Sequence, residues 1–186
     1  MPLTTLDKRT ALIVIDLQKG IVSLPTAHPI DDVIKHSCLL IGAFRRHQLP
    51  VVLVNVTGIS PGRVEQSRLR GTPAADWAEL IPELNQQPQD HLVTKQTRGA
   101  FTGTDLDAYL KQHGVTQVVV VGVATSSGVE STARHAYENG FNVTLAVDAM
   151  TDLSLDQHIH SITHIFPRIA ETGTTQDVIN LLERSA

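Results

Sequence analysis

An aspartate stands at the end of an apolar run near the start of the sequence. Asp16 follows the run Thr10-Ala-Leu-Ile-Val-Ile15 and precedes Leu17-Gln18. A carboxyl group at the mouth of a buried strand loses much of its water, which favours the neutral acid and suits the group to proton transfer. A helix N-cap or a loop salt bridge would place an aspartate there equally well. Asp16 is therefore a candidate general acid with a purely structural alternative.

A lysine follows a second, shorter run. Lys95 comes directly after His91-Leu-Val-Thr94. If its side chain points into the same pocket as Asp16, its charge would hold that carboxylate ionised or bind negative charge on a substrate. Most lysines are solvated surface residues, so the position of Lys95 alone leaves both interpretations open.

A third candidate segment runs from an apolar stretch straight into a stretch with helical spacing. Its sequence is Gly122-Val-Ala-Thr-Ser-Ser-Gly128-Val-Glu-Ser-Thr-Ala-Arg134. Backbone N–H groups at the start of a helix can bind an anion or a developing oxyanion. An ordinary turn with Ser126 or Ser127 as N-cap is the alternative. Glycine is unusual at the opening of a helix, and this favours the functional interpretation.

The elements that would position these residues alternate along the chain. Short β-branched apolar runs predict strands at residues 10–15, 50–56, 91–94, 117–122, 141–147 and 168–172. Helical spacing predicts helices at residues 30–47, 105–112, 126–139, 155–166 and 174–183. Such alternation implies a Rossmann-like α/β fold with parallel strands and right-handed crossovers. Because ligands bind at the carboxyl ends of such strands, we expect Asp16, Lys95 and Gly128 to face one pocket.

The stretch from residue 57 to residue 89 interrupts this alternation. It is rich in Pro, Gly and Gln, and it carries Arg63, Arg68 and Arg70. One short helix around Trp77 is expected within it. Long connections in compact domains tend to be functional, so a functional role is expected for this segment.

Length and composition restrict the class of protein. The 186 residues predict one domain, spanning residues 1–186. No apolar run approaches the ~20 residues of a membrane span, and no secretory signal is evident at the start, so we expect a cytoplasmic protein with no membrane partner. A net charge of -4 argues against nucleic acid and favours a small-molecule partner. The single cysteine, Cys38, excludes a disulfide within the chain.

Four segments together resemble the isochorismatase-like hydrolase superfamily. They are Asp16-Leu-Gln18, the stretch from Lys95 to Asp105 with its Gly-Ala-Phe101, the turn from Gly122 to Arg134, and Asn139-Gly-Phe with Val147-Asp-Ala149. The similarity spans almost the whole chain. It implies a three-layer α/β/α fold, a six-stranded parallel sheet in the order 3-2-1-4-5-6, and a homo-oligomer (dimer or tetramer).

The resemblance also implies a catalytic apparatus. Amidase members use a triad of aspartate, lysine and cysteine. Asp16 and Lys95 match the first two, whereas Gly128 stands at the position of the cysteine. Without a side chain at that position, covalent catalysis of the nicotinamidase or carbamoylsarcosine amidase type is not expected. Cys38 is not expected to replace the nucleophile, because it is predicted to be a small apolar residue on the core side of a helix. Ser127 is not expected to replace it either, because it lies one residue away from the position of the cysteine.

True isochorismatases resemble this chain in having glycine at the same position. By that resemblance, Asp16 would protonate the methylene carbon of an enolpyruvyl ether. Water would then add to the resulting cation, and the hemiketal would collapse to pyruvate and a hydroxyl compound. Lys95 would orient a substrate carboxylate, and a cis peptide bond is implied before Ala124. Further contacts with substrate or oxyanion are expected from Gln18, Arg98, Phe101, Val123, Ala124 and Thr125.

Two other functions stay open on the sequence alone. The protein could be a hydrolase that uses water activated by Asp16 on another substrate, or a non-catalytic binding protein that keeps the pocket. Isochorismate carries two carboxylates, and an arginine side chain can bind a carboxylate through two parallel hydrogen bonds. The arginines available for this are Arg63, Arg68, Arg70 and Arg98. Nothing in the sequence shows that they converge.

Histidines near the end of the chain raise the question of a metal site. His160 and His164 are four residues apart on a predicted helix, and His158 lies just before them. No carboxylate or cysteine nearby completes a ligand set. The aspartate and histidine that bind metal in nicotinamidase members also have no counterpart after Val56. The sequence therefore predicts neither a metal nor any other cofactor.

Overall fold

Continuous β-branched runs of the sequence form the strands of one parallel sheet. The computed structural model describes residues 3–58, 60, 62–65 and 73–184. The strands are β1 (Thr10–Ile15), β2 (Val51–Val56), β3 (His91–Lys95), β4 (Gln117–Val123), β5 (Asn142–Thr151) and β6 (Glu171–Gly173). Their order in the sheet is β3-β2-β1-β4-β5-β6, and every pairing is parallel. The expected fold class and strand order are confirmed.

Helices cover both faces of the sheet and complete three layers. They are α1 (Lys19–Val22), α2 (Ile30–Arg46), α3 (Leu106–Gln112), α4 (Glu130–Glu138), α5 (Leu155–His160) and α6 (Thr175–Arg184). One apolar cluster joins α2 and α6 to one face, and a second joins α3 and α4 to the other. Within the described ranges, none of the helices is long and apolar enough to cross a bilayer.

The central strand β1 shows how the sequence places the core. Successive side chains of a strand point to opposite faces. Leu12 and Val14 accordingly pack in the cluster with α2, whereas Ile13 and Ile15 pack in the cluster with α4. Each such side chain stabilises the fold by about 1.5–3 kcal/mol when it is fully buried. A strand that is apolar on both faces therefore has to lie in the middle of the sheet.

A glycine allows β4 to lie close against the end of β1. Gly122 has a φ of +112°, and a Cβ atom there would lie 2.1 Å from the carbonyl oxygen of Ile15. No other residue type fits this approach without displacing the backbone. The carboxyl ends of β1 and β4 are therefore held side by side, with Asp16 leaving one strand and Ala124 the other.

The helix predicted around Trp77 is wrong. Residues 73–80 form turns and one antiparallel bridge between Gln18 and Leu80. Their backbone bonds go to the segment after β1, because Gly20 donates to the carbonyl of Trp77 and Lys19 donates to that of Glu79. Because the carbonyl groups of Trp77 and Glu79 are already hydrogen-bonded in this way, they are not free to accept the bonds of a helix. A short 3-10 helix follows at Pro82–Leu84.

Elements near the end of the chain also differ from the prediction. α5 continues into a π-helical turn at Ser161–Ile165 and a 3-10 turn at Phe166–Arg168. Pro167 lacks the N–H that a continuing α-helix requires. The last strand consequently begins at Glu171, later than predicted. β5 is longer than predicted and runs to Thr151.

Candidate active site

The structure brings Asp16 and Lys95 into direct contact. The Lys95 Nζ donates a hydrogen bond to Asp16 Oδ2 over 2.8 Å. The two side chains are only 2% and 8% exposed, for the lysine and the aspartate respectively. β2 lies between β3 and β1 in the sheet, so the Lys95 side chain extends across the carboxyl end of β2 to reach Asp16. A second bond from Nζ to the carbonyl of Thr97, at 3.2 Å, fixes the ammonium group.

The backbone at Asp16 aims its carboxylate into this space. Asp16 has a φ of 53°, in the left-handed region that residues other than glycine rarely adopt. Its N–H donates to the carbonyl of Val54 at 2.9 Å, which keeps the residue at the mouth of β1. Among the described residues, its buried Oδ1 has no hydrogen-bond partner. One carboxylate oxygen is thus held by Lys95, and the other is enclosed without a partner among the described residues.

Burial makes Asp16 an unusually weak acid. Loss of solvent raises the pKa of its carboxyl group from 3.8 to about 6, although the charge and the hydrogen bond of Lys95 act in the opposite direction. Desolvation therefore dominates over the ion pair. A group with a pKa near neutrality can be protonated and deprotonated within one catalytic cycle.

Gly128 faces the same carboxylate. A Cβ atom built on Gly128 would lie 3.3 Å from Asp16 Oδ2 and 2.9 Å from the Cγ2 methyl of Ile15. The first distance places any side chain at this position beside the aspartate. The second is shorter than an ordinary van der Waals contact, so Ile15 would have to move to admit one. The three residues expected to share a pocket do lie together.

A model of the isochorismatase domain matches residues 10–177. The chain belongs to the isochorismatase family. It is 40% identical to the isochorismatase family protein YwoC of Bacillus subtilis over 182 residues, covering 92% of this chain and 93% of that protein. Nicotinamidase 3 of Arabidopsis thaliana is 32% identical over 161 residues, covering 82% of this chain and 78% of the plant protein.

A solved structure of an isochorismatase family protein from Burkholderia thailandensis has the same fold. It superposes with a TM-score of 0.92 at 40% sequence identity, and the match covers 96% of this chain and 98% of the other. The strand order and the placement of helices on both faces are thus those of the family.

The turn between β4 and α4 uses several of its own amides. The peptide bond between Val123 and Ala124 is cis. The carbonyl of Ala124 accepts bonds from the amides of Ser127 and Val129. The amides of Ser127 and Val129 are therefore already paired within the turn and do not supply the predicted oxyanion contacts. The Val123 side chain lies in the core, so only its backbone can face the pocket.

A buried carboxylate, that of Asp152, contacts the same turn. Asp152 accepts from the amide of Ser126 through Oδ2 and from that of Leu153 through Oδ1, each at 2.7 Å. Its side chain is almost fully buried at the end of β5. A negative charge at a helix start competes with any anion bound there. Sequence reasoning missed Asp152, because the residue lies beyond the predicted end of its strand.

Thr125 is held by His158, one of the histidines for which the sequence predicted no metal. Its buried hydroxyl lies 2.8 Å from His158 Nδ1, and the His158 ring lies 4.6 Å from that of His28. Burial, with the nearby charge of His28 as a second cause, lowers the pKa of His158, whereas Asp152 raises it. A neutral imidazole is favoured here. The described residues contain no cluster of three potential metal ligands.

Gln18 is engaged with the backbone on both sides of the pocket. Its Nε2 donates to the carbonyls of Val56 and Trp77, at 3.0 and 3.1 Å, and its Oε1 accepts from the amide of Val56 at 2.7 Å. Both N–H donors of the amide are therefore used. This geometry favours a positioning role for Gln18 over the direct substrate contact that the sequence suggested.

Phe101 is partly buried and packs against the core. Its ring centroid lies 6.3 Å from that of His135 and 6.1 Å from that of Phe141, which precedes β5. Phe141 stands at the amino end of a parallel strand, whereas Asp16 stands at a carboxyl end. The described contacts of Phe101 are thus packing contacts, and none involves a polar group of the pocket.

Two of the four arginines considered for binding carboxylates lie within the described residues. Arg98 and Arg63 are exposed. Arg68 and Arg70 lie outside the described residues. Arg98 follows Lys95 by three positions, which places its backbone near the pocket.

Cys38 lies away from the pair of charged residues. It belongs to α2, and its thiol donates to the carbonyl of Glu83 at 3.3 Å. The side chain is half-buried, which corrects the expectation of a core position. Burial raises the pKa of the thiol, and the charge of Glu83 raises it further. A thiol that stays protonated is a poor nucleophile.

Proposed function

We propose that this isochorismatase family protein is a small-molecule hydrolase in which Asp16 acts as general acid without a cysteine nucleophile. The observation that carries the proposal is the state of the Asp16 carboxyl group. It is buried, its pKa is raised to about 6, Lys95 holds one oxygen, and the other oxygen has no partner among the described residues. Vinyl-ether hydrolysis is the reaction that fits this arrangement best.

The proposed reaction begins with protonated Asp16. Its Oδ1 gives the proton to the methylene carbon of an enol ether, and the electron pair of the carbon–carbon double bond forms the new C–H bond. The adjacent carbon becomes an oxocarbenium ion, which the ionised carboxylate stabilises. Water adds to that carbon and loses a proton, returning Asp16 to its acid form. The hemiketal then breaks its carbon–oxygen bond to give a ketone and an alcohol.

Lys95 would keep the acid in place during this cycle. Within the described part of the chain, two of the three N–H groups of its ammonium bond to Asp16 and Thr97. The third can point towards a carboxylate on the substrate. Once Asp16 has given up its proton, the two buried charges attract each other much more strongly than a surface pair does.

An amidase mechanism of the nicotinamidase type is disfavoured in this chain. Such a mechanism needs a nucleophilic side chain next to Asp16, and Gly128 supplies none. The one thiol of the chain, Cys38, bonds to Glu83 instead. The likeness to Nicotinamidase 3 therefore supports the fold and the aspartate–lysine pair more than the substrate.

The second candidate is a hydrolase in which Asp16 acts as a base on water. A pKa of about 6 favours this possibility, because the carboxylate is mostly ionised at neutral pH. The two mechanisms give opposite pH profiles. Activity falls as the pH rises above about 6 if the acid form is required, and rises if the base form is required.

The test is a panel of substrates assayed in parallel. Pyruvate release from isochorismate is followed with lactate dehydrogenase, and ammonia release is measured from a set of amides. For a substrate that is turned over, Asp16→Asn should lower kcat ~100- to 10,000-fold, whereas alkylation of the thiol should change nothing. Asp156→Asn, at an exposed position on α5, is the matched control.

Three results would overturn the proposal. The first is full activity of Asp16→Asn together with loss of activity after alkylation of Cys38. The second is a rate that rises with pH above about 6, which would select the base mechanism. The third is tight binding of a substrate that is never turned over, which would leave a binding protein with a preserved pocket.

The same proposal includes the partners of the protein. A net charge of -4 supports a small molecule over nucleic acid as the ligand. Family membership supports a homo-oligomer, a dimer or tetramer, and size-exclusion chromatography with light scattering distinguishes these from a monomer.

A further inference from the structure

A single threonine hydroxyl joins two segments of the pocket. Thr132, in the first turn of α4, has a fully buried side chain. Its Oγ1 donates to the carbonyl of Gly128 at 2.7 Å and accepts from the amide of Ala100 at 3.1 Å. The hydroxyl thus uses its donor and an acceptor site at once. Gly128 is the residue that faces Asp16, and Ala100 lies in the loop that follows Lys95.

That loop is fixed internally by further bonds. The ammonium of Lys95 donates to the carbonyl of Thr97 at 3.2 Å, and the Thr97 hydroxyl donates to the carbonyl of Gly99 at 3.1 Å. The next amide, that of Ala100, is the one held by Thr132. A path of hydrogen bonds and two short backbone steps therefore runs from Lys95 to the turn at Gly128.

We propose that Thr132 is a positioning residue for the pair formed by Asp16 and Lys95. Its hydroxyl ties the loop that receives the Lys95 ammonium to the turn that lies against the Asp16 carboxylate. The proposal rests on the proposed function and deepens it, because it names the residue that holds Asp16 and Lys95 in position relative to each other. Its main measurement nevertheless requires no substrate.

Two substitutions of Thr132 distinguish the role of its hydrogen bonds from the role of its volume. Thr132→Val keeps the shape of the side chain but leaves the Ala100 amide and the Gly128 carbonyl without their partner. Thr132→Ser keeps the hydroxyl and loses only a methyl group. A structural role in packing predicts that serine is the more harmful change. A positioning role predicts that valine is.

The expected readout is the ionisation of Asp16. When the loop is no longer tied to α4, the Lys95 ammonium is free to move from its 2.8 Å contact. Asp16 itself stays enclosed at the mouth of β1, so burial persists while the opposing effect of the lysine weakens. The pKa of Asp16 should therefore rise above about 6 in Thr132→Val and stay at the wild-type value in Thr132→Ser.

The experiment is a pH titration of the full-length protein by carbon-13 NMR with labelled aspartate. The Asp16 signal is assigned by its disappearance in Asp16→Asn. Thr163→Val is the control, because the exposed Thr163 makes the same kind of bond, to the carbonyl of Ile159 four residues earlier, far from the loop after β3. It should leave the titration of Asp16 unchanged.

A second variant covers the case in which Thr132→Val fails to fold. Thr97→Val removes the bond from the Thr97 hydroxyl to the Gly99 carbonyl and should likewise raise the pKa of Asp16. With a substrate in hand, Thr132→Val should lower kcat ~10- to 100-fold with little change in KM, because a small misplacement acts on the reacting geometry. Serine should restore the rate.

The outcomes separate this proposal from the proposed function. An Asp16 pKa that is unchanged or lowered in both valine variants overturns the role of Thr132. So does a serine variant that titrates like the valine variant. Full activity of Asp16→Asn, in contrast, would remove the general-acid mechanism while the coupling between Thr132 and Asp16 could still be measured.

Discussion

Burial of Asp16 makes the stability of the fold depend on pH in a direction opposite to that of most carboxylates. The pKa of Asp16 is higher in the folded protein than in the unfolded chain, so the folded state holds the proton more tightly. Its contribution to stability is fully present below about pH 4 and is lost as the pH rises through about 6. Asp16→Asn removes the titrating group and with it this dependence.

The size of the effect follows from the two pKa values. A rise from 3.8 to about 6 corresponds to about 3 kcal/mol, at about 1.4 kcal/mol for each tenfold change in proton affinity. Integrated between about pH 4 and about pH 7, the wild type should lose about 2 kcal/mol of unfolding free energy that the variant does not lose. Above about pH 6, where Asp16 is ionised in the folded wild type, the variant also leaves Lys95 without its counter-charge.

Urea unfolding at four pH values between about 4 and 7 measures this difference. His158 acts in the opposite direction, because its lowered pKa makes the fold less stable as the pH falls. Only the difference between the wild type and Asp16→Asn therefore isolates Asp16. If the two proteins show parallel curves, Asp16 does not titrate near pH 6, and the acid proposed for catalysis is absent.

Three further predictions concern the turn that opens α4. Gly128→Cys should destabilise the protein by about 1–3 kcal/mol in thermal unfolding, because its Cβ would lie 2.9 Å from a methyl of Ile15. The same variant should gain at most a trace of ammonia release from amides. Asp152→Asn should cost about 1.5–3 kcal/mol in urea unfolding, while Asp156→Asn should cost little. Proton NMR should show His158 titrating below 6.5, and a higher midpoint would contradict its burial.

Much of the sheet could be predicted because its strands admit few alternatives. β1 and β4 are continuous β-branched runs, and such a run has no polar face to leave in water. Asp16 and Lys95 each follow a strand, and parallel strands present these ends at one edge of the sheet. The prediction that the two residues face one pocket rested on that placement, whereas their direct contact is known from the structure alone.

The parts that could not be predicted depend on partners far away in the sequence. The segment around Trp77 takes its conformation from bonds to Gly20 and Gln18. Asp152 reaches Ser126 because β5 continues beyond its apolar run, with a shift in register against β4. Local sequence patterns carry no signal for such contacts.

The position of Trp77 gives the protein an intrinsic optical probe. It is the only tryptophan in the chain, and its ring fills the space beside Gly20, where a Cβ would lie 1.8 Å from the ring carbon Cδ1. Its carbonyl is held by Gln18, two residues after Asp16. Indole emission shifts to longer wavelength when the ring enters water, so fluorescence reports whether residues 73–80 stay docked. Stopped-flow mixing of the unlabelled protein with a candidate ligand would therefore test whether this segment moves when the ligand binds.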